Sequence, residues 1–289
     1  MNSIELFKQS IPLLDEVYKA ASLTADLDGD NSEVKAGANA NELIIPKMKM
    51  DGLADYSRNS GYVKGDVTLT YETVACNFDR GRMFTVDALD NIETANIAFG
   101  KLSSEFIRTQ VVPELDAFRL SKYASTEGIS KANGNLTTGA NVVEALRAGC
   151  NKLDEDEVDP ENRILYITPT LKALVDDLDT TKSKAVLARF SKIVLVPQSR
   201  FYTAIAQNDG KTEGQTAGGY AKAEGATNIN FLIVQKRAVI QFDKHSVPKI
   251  ISPEANQTSD GWMFGYRNVG IAEVYENKAA GIYCHAANN

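Results

Sequence analysis

Histidine, cysteine and tryptophan are scarce in this chain. Its 289 residues include two His, three Cys and one Trp. Two imidazoles cannot furnish a His-rich metal centre. Three distant thiols, Cys76, Cys150 and Cys284, fit neither a disulfide framework nor a zinc ribbon. They read as small reduced residues. A basic excess is missing too: 31 Lys and Arg stand against 38 Asp and Glu, a net charge of −7. A protein that grips nucleic acid through its phosphates shows the opposite balance. No apolar run approaches the ~18 residues of a membrane span. The N-terminus lacks the basic head, unbroken apolar stretch and small-residue cleavage site of a signal peptide. Instead, Ile4, Phe7, Ile11, Leu14 and Val17 recur every three or four residues, the stripe of an amphipathic helix.

What is present is ample for a folded body. The chain is 43% hydrophobic and 24% charged, enough for one large or two ordinary domains. Residues 24–42 are polar, rich in Gly, Asn and Asp, and aperiodic, which predicts an arm or linker. Period two follows. Met48 and Met50 alternate with Lys47 and Lys49, and Val67, Leu69 and Tyr71 alternate with Thr68, Thr70 and Glu72. Half-buried strands alternate in this way. Between them Gly52, Gly61 and Gly65 supply turn conformations, so the segment reads as a long hairpin with a broad tip. An arm of about 14 residues would reach roughly 45 Å. A free two-stranded hairpin is marginal in water, so something outside it must support it.

Residues 90–124 predict a long helix, with Asp90 and Glu93 spaced as a capping pair. Its apolar positions run from Ala95 to Phe118 at mostly three- and four-residue steps, and Pro113 should bend or loosen it. Next come a helix carrying Val142, Leu146, Cys150 and Leu153 on one face, an acidic loop over 154–162 and a strand over 163–168. Thr168 and Pro169 then open a helix over 169–178. Strands are expected at 192–196, 229–235 and 237–243, and two more within 261–286. Residues 207–228, with five glycines, read as a mobile loop. The fold class is α+β.

Chemical motifs do not emerge. Asp26, Asp28 and Asp30 resemble the start of a calcium loop, but Asn31 and Gly37 stand where Gly and Glu are needed. The acidic run at 154–159 reads as a solvated turn. Gly134 to Gly139 has phosphate-loop spacing without the following Lys. His245 and His285 have no nucleophile elbow to serve. The expectation is a non-enzyme with no catalytic residue, cofactor or metal.

One long segment carries a resemblance. Ile45-Pro46 is followed by Gly-Leu-x-Asp-Tyr at 52–56, and after the hairpin by Asp-Arg-Gly-x-x-Phe-x-Val-Asp at 79–87. The long helix ends in Val-Val-Pro-Glu-Leu-Asp-Ala-Phe at 111–118. The Thr-Pro junction at 168–169, the VPQSRF stretch at 196–201 and the closing GYRNVG and YENKAAGIY fit the same pattern. In this order of elements the chain resembles the major capsid proteins of tailed bacteriophages, the family with the Hong Kong ninety-seven fold.

The resemblance implies an N-terminal arm over 1–35, an extended loop over 36–80 and a peripheral domain with its spine helix over 81–128. It implies an axial domain over 129–250 and return strands of the peripheral domain over 251–289. It implies pentamers and hexamers of the chain itself building an icosahedral shell around phage double-stranded DNA. Such a shell is assembled in the host bacterial cytoplasm and resides in the virion, with no membrane involved. Scaffolding, portal and decoration proteins are its implied partners. Tyr56, Arg58, Tyr62 and Lys64, at the hairpin tip, become the candidate inter-subunit contacts. Some relatives join Lys to Asn covalently, but none of Lys47, Lys49, Lys64, Asn268 or Asn277 aligns to such a motif. The alternative reading is an encapsulin-type nanocompartment with a protein cargo, and the distant one an unrecognised hydrolase.

Overall fold

The computed structural model describes residues 22–29, 35–36, 42–87 and 104–288. The helix expected over 4–17, Asp30 of the acidic triplet and the Asp90-capped start of the long helix lie outside them.

Thirteen strands and four α-helices are described. A two-residue β1 (Lys35–Ala36) pairs with β2 (Glu42–Met50), which pairs antiparallel with β3 (Val67–Ala75). After β4 (Phe78–Asp87), a helical stretch entered by 104–106 passes through a π-turn at Ile107–Val111 into α1 (Val112–Ser125). There follow β5 (Ser130–Asn133), α2 (Gly139–Glu155), β6 (Arg163–Ile167), α3 (Pro169–Leu178), α4 (Thr181–Leu187) and β7 (Lys192–Leu195). The short pair β8 (Ile205–Gln207) and β9 (Tyr220–Lys222) precedes β10 (Ile229–Gln235), β11 (Val239–Ile251), β12 (Gly261–Val274) and β13 (Ile282–Ala286).

Two sheets organise the body. The five-stranded sheet has the order β5-β13-β10-β6-β7, with β10 antiparallel to both neighbours and the outer pairs parallel. Its central strands read as continuous apolar runs because both faces are covered. Leu165, Ile167, Phe231, Ile233 and Tyr283 pack under α2, α3 and α4. Their alternates Ile164, Tyr166, Leu232, Val234 and Cys284 face a second core shared with Leu120, Tyr123 and Ala124 of α1. The second sheet, β11-β12-β4, is antiparallel and presents Phe78, Phe264 and Tyr266 to Ile107, Val112 and Leu115. The helix through 104–125 is therefore the common wall of both sheets.

Local chemistry explains most boundaries. Pro113 lacks the N–H that would bond the Thr109 carbonyl, and the turn just before it widens: Val112 N–H reaches back five residues to Ile107 O. Thr138 caps α2 by accepting from Asn141 N–H at 3.3 Å. Gly139 lets α2 touch α3, since a Cβ there would lie 2.1 Å from the Leu174 carbonyl oxygen. Thr168 sits at the cap position of α3, where its side chain makes no capping bond and Pro169 fixes the first turn. The unexpected α4 is opened by a reciprocal Thr180–Ser183 capping box. Pro46 is tolerated in β2 because, among the described residues, β1 pairs only with Leu43 and Ile44 and leaves position 46 unpaired on that side. Pro248 is tolerated because β11 is itself an edge strand.

The structure departs from expectation in several places. Residues 22–29, expected in part as linker, are docked, with Thr24 and Leu27 wholly buried. Residues 207–228 are a folded loop whose base is the β8–β9 pair and whose crest is held to β4 by arginines. The strand expected at 237–243 runs on to Ile251. Strand pairing also divides the chain differently from the boundaries at 128 and 250. Residues 239–251 lie in the sheet of β4 and β12, and 282–286 lie in the five-stranded sheet.

Candidate assembly surfaces

The hairpin is fastened at its base and bare along its length. Val74 and Cys76 pack against Ile240 and Ile271. Asn77 straddles the Ala272 backbone, its Nδ2 donating to the carbonyl at 2.8 Å and its Oδ1 accepting from the N–H at 3.1 Å. Beyond this base Val67, Leu69 and Tyr71 are 64%, 49% and 58% exposed. The alternation that marks a half-buried strand is present, and among the described residues the apolar side chains of Val67 and Leu69 remain uncovered.

The tip is a built structure. Ser57 and Gly61 exchange backbone hydrogen bonds at 3.2 and 2.7 Å, with Gly61 in the left-handed region at φ +78°. Of the three glycines expected to supply turn conformations, Gly61 alone has a positive φ. The Ser57 hydroxyl accepts from the N–H groups of Asn59 and Ser60, and Asp51 and Asp66 close the neck. All four expected contact residues, Tyr56, Arg58, Tyr62 and Lys64, are exposed. The tip brings Tyr56 and Tyr62 together, ring centroids 4.8 Å apart, while Arg58 occupies the turn and Lys64 the returning limb.

A cavity of about 550 Å³ opens between β4, the π-turn and the 208–219 loop. Phe84 and Phe106 form one wall, with ring centroids 4.8 Å apart. Arg80 Nε donates to Glu114 Oε1 at 2.7 Å, and its Nη2 to the carbonyls of Asn208 and Gly219 at 2.7 and 3.3 Å. Arg82 donates to the Thr216 carbonyl at 3.1 Å. These contacts fold the glycine-rich loop over the cavity. At the loop crest the Thr212 hydroxyl and the N–H groups of Lys211 and Thr212 donate to Asp209, holding its carboxyl down to about 2. Asn268 sits opposite Arg80 in the β12–β4 ladder and lines the cavity. It is 1% exposed, and neither atom of its amide has a hydrogen-bond partner.

A third feature ties the start of the described chain to the body. Asp116 of α1 is wholly buried. Its carboxylate accepts from Ser22 Oγ, Leu23 N, Thr24 N and Thr24 Oγ1 at 3.1, 3.0, 3.3 and 2.8 Å. Arg119, 1% exposed, donates to Thr24 Oγ1 at 3.1 Å and to Asp243 at 2.6 Å. Gln241 of β11 donates to Thr24 O and to Asp28, and accepts from Tyr123 Oη. Burial pushes the Asp116 carboxyl up, against the pull of its donors and of Arg119.

The residues screened for catalysis fall elsewhere. His285 stacks on Phe231 at 5.1 Å within the five-stranded sheet and meets Asn230 at 3.0 Å, and burial pulls its pKa down. His245 lies at the β11 bulge, opposite Val269. Burial pushes the Cys284 thiol up to about 12 and raises that of Cys150. Asp26 pairs with Lys192 and Asp28 accepts from Gln241, so neither is poised as a calcium ligand. The acidic run is not merely solvated: Asp154 pairs with the buried Arg163 at 2.7 Å and with Arg189, and these partners hold its carboxyl low. Among the described residues no helix is long and apolar enough to cross a membrane.

No protein-family model and no curated protein matches the chain. Solved structures do match. One from Mycobacterium phage Che8 aligns with a TM-score of 0.59 at 11% identity, covering 91% of this chain and 90% of that one. The capsid of Myoviridae phage XM1 aligns at 0.57 and 11% identity, covering 92% and 91%. A virus-like particle from Pyrococcus furiosus aligns at 0.53 and 13% identity, covering 93% and 98%. At such identities the likeness is one of fold. The chain has the α+β Hong Kong ninety-seven fold of phage capsid subunits, as the order of its sequence motifs implied.

Proposed function

We propose that this chain is the major capsid protein of a tailed bacteriophage. It assembles through pentamers and hexamers into an icosahedral shell around double-stranded DNA. The observation that carries this reading is an unfinished hairpin on a finished body, within a fold held in common with phage capsids over nine-tenths of the chain.

The five-stranded sheet is covered on both faces by its own chain. The hairpin, with Val67 and Leu69 uncovered by the described residues, needs a further surface. A neighbouring copy supplies it. Such head-to-tail contact is heterologous and closes into rings when the rotation fits. Each contact can be weak, because every copy is held by several neighbours at once. Apolar burial along the hairpin contributes roughly 25 cal/mol per Å² removed from water. The net charge of −7 suits a wall that must not cling to the DNA it encloses. No catalytic step or cofactor is required.

In this reading residues 1–35 are the arm and 36–80 the extended loop. The peripheral domain is built on β4, α1, β11 and β12, and the axial domain on the five-stranded sheet with α2, α3 and α4. Assembly takes place in the host bacterial cytoplasm with scaffolding, portal and decoration proteins as partners, and the product is the virion wall. The second reading is an encapsulin-type shell around protein cargo; the chain's likeness to a virus-like particle as well as to phage capsids leaves room for a shell outside a phage.

Electron microscopy of the purified chain, alone and with a scaffolding protein, tests the proposal. Closed shells are expected. A strict monomer under every assembly condition overturns it. Nucleic acid inside shells recovered from infected cells supports the first reading, and a protein cargo the second.

A further inference from the structure

The loop over residues 208–219 has almost no apolar hold on the body. None of its residues is buried, and Ala217 is its only apolar side chain. Its own hydrogen bonds give it a shape nonetheless. The Asn208 N–H and Nδ2 donate to the carbonyls of Gly219 and Gly218, both at 2.9 Å, and close the neck. The Asp209 N–H donates to Gln215 Oε1 at 3.2 Å. The N–H groups of Gln215 and Gly218 donate to Thr212 O and Gln215 O, both at 2.9 Å. The foot of the loop is the three-pair β8–β9 ladder, tied down where Tyr220 Oη donates to Ser199 O at 2.9 Å. A ladder that short is a weak stem.

What holds this unit in place comes from β4. One guanidinium, that of Arg80, donates to both ends of the loop, at Asn208 O and Gly219 O, and to Glu114 of α1. Glu114 also accepts from Gln207 Nε2 at 3.4 Å. Farther out, Arg82 donates to Thr216 O and lies against Gly218, where a Cβ would come 2.9 Å from its Nη1. The loop thus closes one side of the cavity whose opposite wall is Phe84 and Phe106.

We propose that residues 208–219 are a hinged lid: a self-folded unit that swings on the β8–β9 stem and is latched over the cavity by the Arg80 guanidinium. The proposal is independent of the shell reading. A planar fork explains the choice of arginine. It presents donors to Glu114 and to two carbonyls from fixed positions, which a lysine ammonium on its flexible stem does not. Because the loop buries none of its own residues, loss of these bonds releases it without opening either hydrophobic sheet. Opening widens access to the Phe84–Phe106 wall. β4 follows directly on the hairpin, so the latch also ties the lid to the strand that carries the hairpin.

The test places spin labels on Thr109→Cys at the cavity rim and Lys211→Cys at the lid crest, in the full chain with Cys76→Ala. With Arg80 in place the pair should show one narrow distance. Arg80→Gln and Arg80→Lys should both shift the distribution to longer values and broaden it, with the melting of the chain unchanged. Hydrogen exchange at the Gln215 and Gly218 amides should stay as slow as with Arg80. A distance that stays narrow in either variant overturns the latch. Fast exchange at those two amides overturns the self-folded lid. Where Arg80→Gln lowers the melting of the whole chain, Arg82→Gln carries the test, because that side chain is exposed. A smaller shift in the same direction is then expected, and no shift overturns the proposal.

Discussion

The five-stranded sheet and the hairpin are built from the same strand chemistry, and they end in opposite states. Along β10 every residue from Phe231 to Val234 is wholly buried, with helices α2 to α4 over one face and α1 under the other. Along β3 the apolar alternates Val67, Leu69 and Tyr71 point into solvent. A strand whose apolar side chains are covered by its own chain stabilises the monomer. One whose apolar side chains remain bare stores its stabilisation for a contact between chains.

The largest expected separation comes from Val67, Leu69 and Tyr71 all changed to Ser. Shell formation should be lost, as read by sedimentation, while urea unfolding of the free chain shifts by less than about 0.5 kcal/mol. The mirror change is Leu232→Ala in β10. It should cost the free chain about 2–5 kcal/mol in the same unfolding measurement. If the hairpin changes destabilise the monomer as much as Leu232→Ala does, the contrast is void.

A smaller effect is expected at the strap over 22–29, which fastens α1 to β11. Asp116→Ala removes the acceptor for three N–H or hydroxyl groups of Leu23 and Thr24 and should cost about 1–3 kcal/mol. Limited proteolysis near residues 22–29 should accelerate, with cleavage in the five-stranded sheet unchanged. The smallest effect is one of pH. Burial lowers the His285 pKa below its ordinary 6.5, so the fold favours the neutral ring. Its contribution is complete above about pH 6.5 and shrinks as pH falls toward the folded-state value. His285→Gln should flatten that slope in thermal melts taken between pH 7 and pH 5.

How much of this was legible in the sequence follows from where each partner sits. β6 and β10 were readable because burial on both faces writes continuous apolar runs. The helix face of Val142, Leu146, Cys150 and Leu153 was readable from its spacing, and all four are wholly buried. The hairpin was readable as alternation, but its exposure was not, since period two says which residues share a face and not what covers it. The Asp116 strap was invisible: its partners lie 92–94 residues away, and a carboxylate on a helix looks like any solvated one. The 208–219 loop looked mobile because it has almost no large apolar residue, yet backbone carbonyls held by Arg80 and Arg82 fix it. β11 outran its expected end at 243 because a bulge between Asp243 and His245 breaks the alternation while the pairing continues beyond it. Of the candidate contact residues, the tyrosine pair was legible as tip residues, whereas the cavity joins three segments that only the fold brings together.

Hydrogen exchange on the free chain and on assembled shells tests the contrast between the two regions most directly. Amides of β10 should exchange slowly in both. Amides of β2 and β3 should exchange fast in the free chain and become protected at least tenfold in the shell. Equal protection of the hairpin in both forms would contradict the claim that its stability belongs to the assembly.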